Sequence, residues 1–338
     1  MKALIIRLSS IGDVVHTLPA LAALRQHGWD AGWLAEPPGR TLLERNPALD
    51  HLVGAPAAKA FRWSEARSAM RALRDQRYHV ALDFQGLWKS AAWARLSGAR
   101  RVVGFARPWR REPASALLIG DQAELPRGRQ HVIDKNLALL GPLGIEATGL
   151  REFPLPHSEE IATSVEVGLR ELGVEDFALL NPAGGWSSKL WPTERFGALA
   201  RGLRERGLRS VVTWGPGEED LADRVVAASD GAAVRSFPTA LLDLVELARR
   251  TRVVVAADPH SLFVEEERAA LEGYLERGGS LLLLLLGDLH QLGGDGHAGA
   301  EDQRQQDHQL QAAVEEGAQQ PDVKAVEPAE RGLVGRTG

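Results

Sequence analysis

The chain of 338 residues contains no cysteine. Disulfide bonds, thiolate nucleophiles and cysteine-ligated zinc or iron–sulfur sites are therefore excluded. The apolar run Leu281 to Leu286 has only the length of a strand, against the roughly 20 residues that a helix needs to span lipid. The ten histidines show no metal-ligand spacing with a carboxylate, so we expect no metal site. The first apolar run is interrupted by Arg7 and followed by Asp13, so we expect no signal peptide.

Positive charge is concentrated in the first half of the chain. Residues 1–150 hold 21 Lys and Arg against 13 Asp and Glu, whereas the whole chain has a formal net charge of −5. The densest stretch, residues 59–77, interleaves bases with Phe61 and Trp63, as proteins that bind anionic lipid or saccharide do. A solvated helix face is the alternative interpretation. No nucleic-acid-binding motif accompanies the charge, so we expect no nucleic-acid partner.

Strands and helices alternate along the chain in two blocks. The predicted strands are 4–8, 31–35, 80–83, 177–181, 209–214 and 253–257, and the predicted helices include 39–45, 64–74 and 192–206. Such alternation is typical of doubly wound parallel sheets. We expect an α/β chain with two Rossmann-like domains, at residues 1–155 and 175–286, that face one another. The segment from Pro154 to Val174 opens with Pro-Leu-Pro and is interpreted as the linker.

The first strand runs directly into the polar turn Ser9-Ser10-Ile11-Gly12-Asp13. Because ligands bind at the carboxyl ends of strands in open α/β sheets, we expect this turn to carry the chemistry. A helix that begins there directs free N–H groups toward anions. Gly12 is expected to permit backbone geometry that a Cβ would resist. The alternative is that Ser9, Ser10 and Asp13 only cap a helix.

Several segments taken together resemble a known enzyme family. They are Ser9 to Pro19, Asp83 to Ser90, Arg111 to Ser115, His131 to Asn136, and the second-domain turn with Lys189 to Pro192 behind it. In this order they resemble the lipopolysaccharide heptosyltransferase I family over residues 1–258.

That resemblance implies a GT-B fold, with an acceptor domain first and a nucleotide-sugar domain second, facing across a cleft. It also implies transfer of heptose from ADP-heptose to Kdo on an inner-core lipid A acceptor. The transfer inverts configuration and requires neither an obligatory metal nor a cofactor. We expect such a protein to be cytoplasmic and peripheral on the inner membrane.

The implied reaction assigns roles to the residues at the strand ends. The acceptor hydroxyl must lose a proton as it attacks the anomeric carbon, so Asp13 is the candidate general base. Lys189, with backbone N–H groups of the glycine-rich turn, would stabilise the charge on departing ADP. Glu218 or Glu219 would accept hydrogen bonds from ribose, unless they only complement a helix dipole. The candidate nucleotide-sugar residues are Gly184, Gly185, Ser187, Ser188, Lys189, Glu218, Glu219 and Asp258.

The acceptor carries acidic groups, which cations in the first half would hold. Lys89 and Ser90 follow a strand end and a glycine, so we expect them at the rim of the cleft. Guanidinium groups match carboxylate and phosphate oxygens, which makes Arg110 and Arg111 candidates as well. The candidate acceptor residues are Ser9, Ser10, Gly12, Arg62, Gln85, Lys89, Ser90, Arg110 and Arg111. His16 is interpreted as structural or as a support for the site.

The resemblance ends after Asp258. The family has Thr-Gly or Ser-Gly next and a histidine a few residues later, on the loop that holds the diphosphate, whereas this chain continues with Pro259 and His260. Residues 263–286 indicate a helix, a glycine turn and a strand, which resemble a unit of some other α/β protein. Residues 287–338 form a polar tail that we expect to be disordered. Two functions therefore stay open, an active heptosyltransferase and a catalytically impaired glycosyltransferase-like binding protein. A Rossmann oxidoreductase is disfavoured because the first turn lacks G-x-G-x-x-G.

Overall fold

The computed structural model describes residues 1–37, 39–57, 62–125, 131–183, 191–251, 253–257 and 280–284. The chain divides into two compact units between His157 and Ser158. Within the described ranges, no helix combines the length and the apolar character that a membrane span requires.

The first unit is built on a parallel sheet. Its strands are β1 (Lys2–Ile6), β2 (Asp30–Ala35), β3 (His51–Gly54), β4 (Val80–Asp83), β5 (Arg101–Phe105) and β6 (Asp121–Ala123). Its α-helices are α1 (Ile11–Val15), α2 (Leu18–Gln26), α3 (Gly39–Leu43), α4 (Trp63–Asp75), α5 (Trp88–Leu96) and α6 (Val132–Ala138). The strand order is β3-β2-β1-β4-β5-β6, with β1 at the centre. The register places Ile6 opposite Asp83, so β1 and β4 end side by side.

Burial explains why these segments form strands and helices. Residues 3–6 of β1 are fully buried, as expected for a central parallel strand covered on both faces. The helices α4 and α5 and the 3₁₀ helix Pro113–Leu118, which we call the α4–α5 layer, pack with β1 and β4 residues in one apolar cluster and so cover one face of the sheet. The inner sides of α4 and α5 share one apolar cluster, which includes Ala66, Ala69, Leu73, Ala91, Trp93 and Ala94, and Leu118 of the 3₁₀ helix packs against it.

The second unit contains a five-stranded parallel sheet. Its strands are β7 (Phe177–Leu180), β8 (Arg209–Val212), β9 (Ala233–Arg235), β10 (Val253–Ala257) and β11 (Ser280–Leu284). Its helices are α7 (Glu159–Glu171), α8 (Thr193–Glu205), α9 (Glu219–Ala228) and α10 (Leu241–Arg250). The strand order is β11-β10-β7-β8-β9. Taken from β9, it is β9-β8-β7-β10-β11, which corresponds to β3-β2-β1-β4-β5 of the first sheet and is a doubly wound order. The strand predicted after Asp258 therefore extends this sheet, pairing with β10.

The interval from Pro154 to Val174, which the sequence predicts to be a linker, contains α7 instead. Ala162, Val165 and Leu169 lie on one face of this helix and are buried. Their spacing of three and four residues is that of an amphipathic helix. Gly168 allows close packing, because a Cβ there would lie 2.4 Å from the Phe237 ring. The prediction was wrong because Pro-Leu-Pro was given more weight than this periodicity.

Candidate functional site

The turn after β1 forms the short helix α1 and places Asp13 within its first turn. The Ser10 backbone N–H donates to Asp13 Oδ2 at 3.2 Å, so the helix-capping contact exists. Gly12 does not have a positive φ, and a Cβ on it would meet no atom within 4 Å. The expectation that glycine is needed for the backbone here is therefore wrong. The space beside Gly12 is open, and this space is available to a ligand.

A buried arginine lies behind Asp13. One amino group of Arg7 forms an ion pair with Asp13 Oδ1, and the other donates to the carbonyl of Phe84. Burial lowers the pKa of the Arg7 guanidinium, and the Asp13 carboxylate opposes that shift. An arginine remains cationic at neutral pH even so. The Arg7 side chain is 9% exposed and that of Asp13 is 40% exposed, so the carboxylate is fixed from behind and open in front.

The turn after β4 is joined to the turn after β1. Gln85 Oε1 accepts a hydrogen bond from the Leu8 backbone N–H at 3.0 Å. Asp83 Oδ1 accepts from the backbone N–H groups of Gln85 and Gly86, at 3.1 and 3.2 Å. Gly86 has a φ of +70°, a conformation that L side chains rarely adopt. The resemblance motifs at residues 9–19 and 83–90 thus meet at one edge of the sheet.

Arg110 and Arg111, predicted together to hold the acceptor, lie in different environments. The Arg110 guanidinium has no exposed surface and forms an ion pair with the equally buried Asp83, at 2.5 Å. It also donates to Ser115 Oγ at 2.8 Å. The structure contradicts the acceptor role of Arg110, because a charge desolvated this completely requires an internal counter-ion. Arg111 is exposed and stays a candidate.

Lys89 and Ser90 also differ from each other. Ser90 is fully buried, and its hydroxyl accepts from the Leu87 N–H at 3.1 Å and donates to the Leu87 carbonyl at 3.0 Å. Its predicted contact with the acceptor is contradicted, because the hydroxyl caps α5 inside the protein. Lys89 Nζ lies 2.7 Å from Glu36 Oε1, with 38% of the Lys89 side chain exposed. Lys89 is therefore placed at the edge, with an acidic partner.

Arg7 and Glu36 were not among the predicted site residues. Glu36 directly follows β2, and its N–H donates to the Leu8 carbonyl at 2.9 Å. An acid at a third strand end, and a base inside an otherwise apolar strand segment, were the signals available in the sequence. The ends of β2, β1 and β4 therefore supply Glu36, Asp13 and Lys89 to one edge.

Other predicted residues of the first unit lie around this edge. Ser9 is half-buried and Ser10 is exposed. Arg62 precedes α4, is strongly exposed, and lies 3.8 Å from Glu65. The motif at residues 131–136 packs against the end of α1, where Asn136 Nδ2 donates to the His16 carbonyl at 2.9 Å. His16 therefore takes part in joining two of the resemblance motifs.

Most predicted donor residues lie outside the described residues. These are Gly184, Gly185, Ser187, Ser188, Lys189 and Asp258. The residues of the expected polar tail lie outside them as well. Glu218 precedes α9, and its carboxylate accepts from the Gly215 N–H at 2.8 Å. Glu219 is the first residue of α9. In the ranges that the structure describes, no cluster of three or more His, Asp or Glu side chains is arranged to hold a metal ion.

Comparison with known families decides what kind of protein carries this edge. The model of glycosyltransferase family 9 (heptosyltransferase) matches residues 66–259, more than half of the chain. The chain belongs to this family. The predicted family and the prediction of a glycosyltransferase are thereby confirmed. The family 9 match ends beside Asp258, where the sequence resemblance also ends.

Individual proteins of known name or structure support the family assignment. Lipopolysaccharide heptosyltransferase 1 of Pseudomonas aeruginosa is 29% identical over 280 residues, 76% of this chain and 73% of that protein. Lipopolysaccharide heptosyltransferase 3 of Escherichia coli K12 is 25% identical over 217 residues, 62% of each chain. The solved structure of E. coli heptosyltransferase WaaC with ADP-2-deoxy-2-fluoro heptose is similar to this chain, with a TM-score of 0.65 and 23% identity over 88% of this chain and 91% of that chain. This likeness confirms the predicted GT-B fold class.

Proposed function

We propose that this family 9 protein transfers heptose from ADP-heptose to Kdo of an inner-core lipid A acceptor, with inversion. The observation that carries the proposal is the Asp13 carboxylate, fixed by Arg7 and open to solvent at the carboxyl edge of the sheet. The names of the relatives support a lipopolysaccharide acceptor, and the nucleotide sugar in the WaaC structure supports the donor. We place the protein in the cytoplasm, peripheral on the inner membrane.

Asp13 is the general base in this proposal. Its carboxylate, which is 40% exposed, accepts the proton of the acceptor hydroxyl while the hydroxyl oxygen forms a bond to the anomeric carbon. The bond from that carbon to the ADP oxygen breaks on the opposite face, so configuration inverts and ADP leaves with the electron pair. Arg7 keeps the carboxylate oriented, because its buried guanidinium is itself held by the Phe84 carbonyl. The partners of Asp13 in these contacts, the Ser10 N–H and the Arg7 guanidinium, are hydrogen-bond donors and not carboxylates.

Cations at the same edge bind the acidic acceptor. Lys89 exchanges part of its contact with Glu36 for an acceptor carboxylate or phosphate, and Arg111 supplies a second, exposed cation. Ser9, Ser10, Gln85 and the open side of Gly12 line the approach to Asp13, and Arg62 extends the cationic surface.

On the donor side, Glu218 and Glu219 bind ribose. Gly184, Gly185, Ser187, Ser188, Lys189 and Asp258 bind the diphosphate and sugar.

The test is ADP release from ADP-heptose in the presence of Kdo-lipid A. We expect release only when both substrates are present, with a heptosylated acceptor formed in equal amount. Lipid A without Kdo is the matched control acceptor and is expected to give no product. ADP release that ignores the acceptor, or binding of both substrates without product, would contradict the proposal.

A specific observation favours reduced turnover as a second candidate function. The family 9 match ends at residue 259, and the chain lacks the Thr-Gly that the family places after Asp258. Each lost donor to charge that develops on the leaving group costs roughly 10²–10³ in rate. We expect the chain to turn over slowly, and an Asp-Thr-Gly loop with its following helix, rebuilt after Ala257, to raise the rate. If the unmodified chain already matches an intact family member, the loop is dispensable.

A further inference from the structure

Large apolar side chains are exposed on one side of the first unit. They are Trp63 (70% exposed), Trp88 (44%), Leu96 (43%) and Leu117 (84%). Apart from Met1, these are the strongly exposed large apolar residues in the described part of that unit. All four belong to the α4–α5 layer. Scattered exposed residues need no explanation, but a set confined to one layer indicates a contact surface.

The elements of this layer lie side by side. Arg74 Nε at the end of α4 donates to the Leu96 carbonyl at the end of α5, at 3.0 Å. The Trp88 N–H at the start of α5 donates to Glu112 Oε2, just before the 3₁₀ helix, at 2.5 Å. All three elements pack against one apolar cluster, so they cover the same face of the sheet and their outer sides face away from it.

This layer carries net positive charge. Its three elements, residues 63–75, 88–96 and 113–118, contain five Lys and Arg but only two Asp and Glu. Arg67, Arg71 and Arg95 are exposed on α4 and α5. Tryptophan and leucine side chains interleaved with arginines match the boundary between lipid headgroups and acyl chains. Each arginine near such a surface is attracted by anionic headgroups.

We propose that the outer surface of the α4–α5 layer docks on an anionic phospholipid bilayer. Leu117 and the exposed tryptophans enter the headgroup boundary while the arginines contact lipid phosphates. The alternative of a second copy on this surface is disfavoured, since two surfaces of the same charge repel each other. The proposal rests on the proposed function in one respect: Lys89, next to Trp88, brings the acceptor edge to the lipid in which the acceptor lies.

Vesicle flotation of the whole chain tests the proposal without donor or acceptor. We expect binding to vesicles of phosphatidylglycerol with phosphatidylethanolamine, and at least about tenfold weaker binding to phosphatidylcholine. The double change Arg67→Gln with Arg71→Gln is expected to weaken binding about 25-fold, roughly fivefold for each arginine. Leu117→Ser is expected to weaken it about fivefold.

Matched controls lie on the second unit. Val167→Ser removes an apolar side chain that is also exposed, and Arg206→Gln removes an exposed cation, so both are expected to leave flotation unchanged. Equal binding to both vesicle types, binding to neither, or binding unaffected by the α4 and Leu117 changes would overturn the proposal. A change in oligomeric state by light scattering in Leu117→Ser, with flotation unchanged, would also overturn it and assign the surface to a second copy.

The proposed function is judged separately from the docking surface. With the acceptor dispersed in detergent, Leu117→Ser is expected to release ADP at the native rate, because this residue lies outside the site. If flotation follows the expected pattern while no heptosylated product forms, the docking surface stands and only the proposed function fails.

Discussion

The buried pair of Asp83 and Arg110 supports the candidate acceptor edge, and its loss is expected to be costly. Both side chains have no exposed surface and their charged atoms lie 2.5 Å apart. Asp83→Asn keeps the size of the side chain and the oxygen that accepts from Gln85 and Gly86, but leaves the guanidinium without its counter-ion. Breaking one partner of such a pair costs about 3–5 kcal/mol, and we expect that decrease in the free energy of unfolding, measured by urea denaturation.

Two variants test whether the uncompensated charge is the cause. Asp121→Asn breaks the ion pair between Asp121 Oδ2 and Arg101 Nε, which lie 2.8 Å apart. Because these side chains are 43% and 48% exposed, the change is expected to lower the free energy of unfolding by less than about 1 kcal/mol. Adding Arg110→Met to Asp83→Asn removes the stranded charge and is expected to restore part of the lost stability. A cost for Asp83→Asn no larger than that of Asp121→Asn would refute the reasoning.

Three further predictions concern other residues of the first unit. Arg7→Met is expected to lower kcat for ADP release about 100-fold with the KM for ADP-heptose unchanged, and Arg7→Lys to retain part of the rate, because misplacing a catalytic group has effects of this size. Arg111→Ala is expected to raise the acceptor KM, and added salt to reduce the difference from the native chain. Burial, with a smaller effect of the Asp50 carboxylate, raises the pKa of Tyr78. The stability linked to the neutral phenol is therefore full below about pH 10 and falls above it. In urea titrations Tyr78→Phe is expected to reduce this alkaline loss.

Much of the sheet architecture could be predicted from local sequence. The segment 80–83 is a strand with those bounds, and 64–74 is helical as α4, because apolar periodicity and strand-end residues are visible in the chain itself. The strand β5, with Arg101 at its start, was not predicted. Neither were β3, β6 and β9, which are three or four residues long and too short for a clear pattern. The helix α7 was missed because proline signals preceded it.

The candidate site was harder to predict, because its contacts join distant parts of the chain. Arg7 and Phe84 are 77 residues apart, and only the pairing of β1 with β4 brings them together. The burial of Arg110, which follows β5, likewise depends on the pairing of β4 with β5, which places Asp83 opposite Gly104. Sequence shows which residues carry charge at strand ends. It does not show which charged residues pair in the interior, as Arg110 pairs with Asp83, or which remain open to a ligand, as Asp13 does.

The most direct test of the central claim is single-turnover ADP release by Asp13→Asn, with ADP-heptose binding measured on the same preparation. If Asp13 removes the acceptor proton, the rate is expected to fall at least about 100-fold while donor affinity stays unchanged. The Asn side chain still offers an oxygen to the Ser10 N–H, so the capping contact survives, whereas Arg7 loses its ion pair and keeps the Phe84 carbonyl. An Asn variant that releases ADP at the native rate would contradict the account and leave Asp13 as a helix cap.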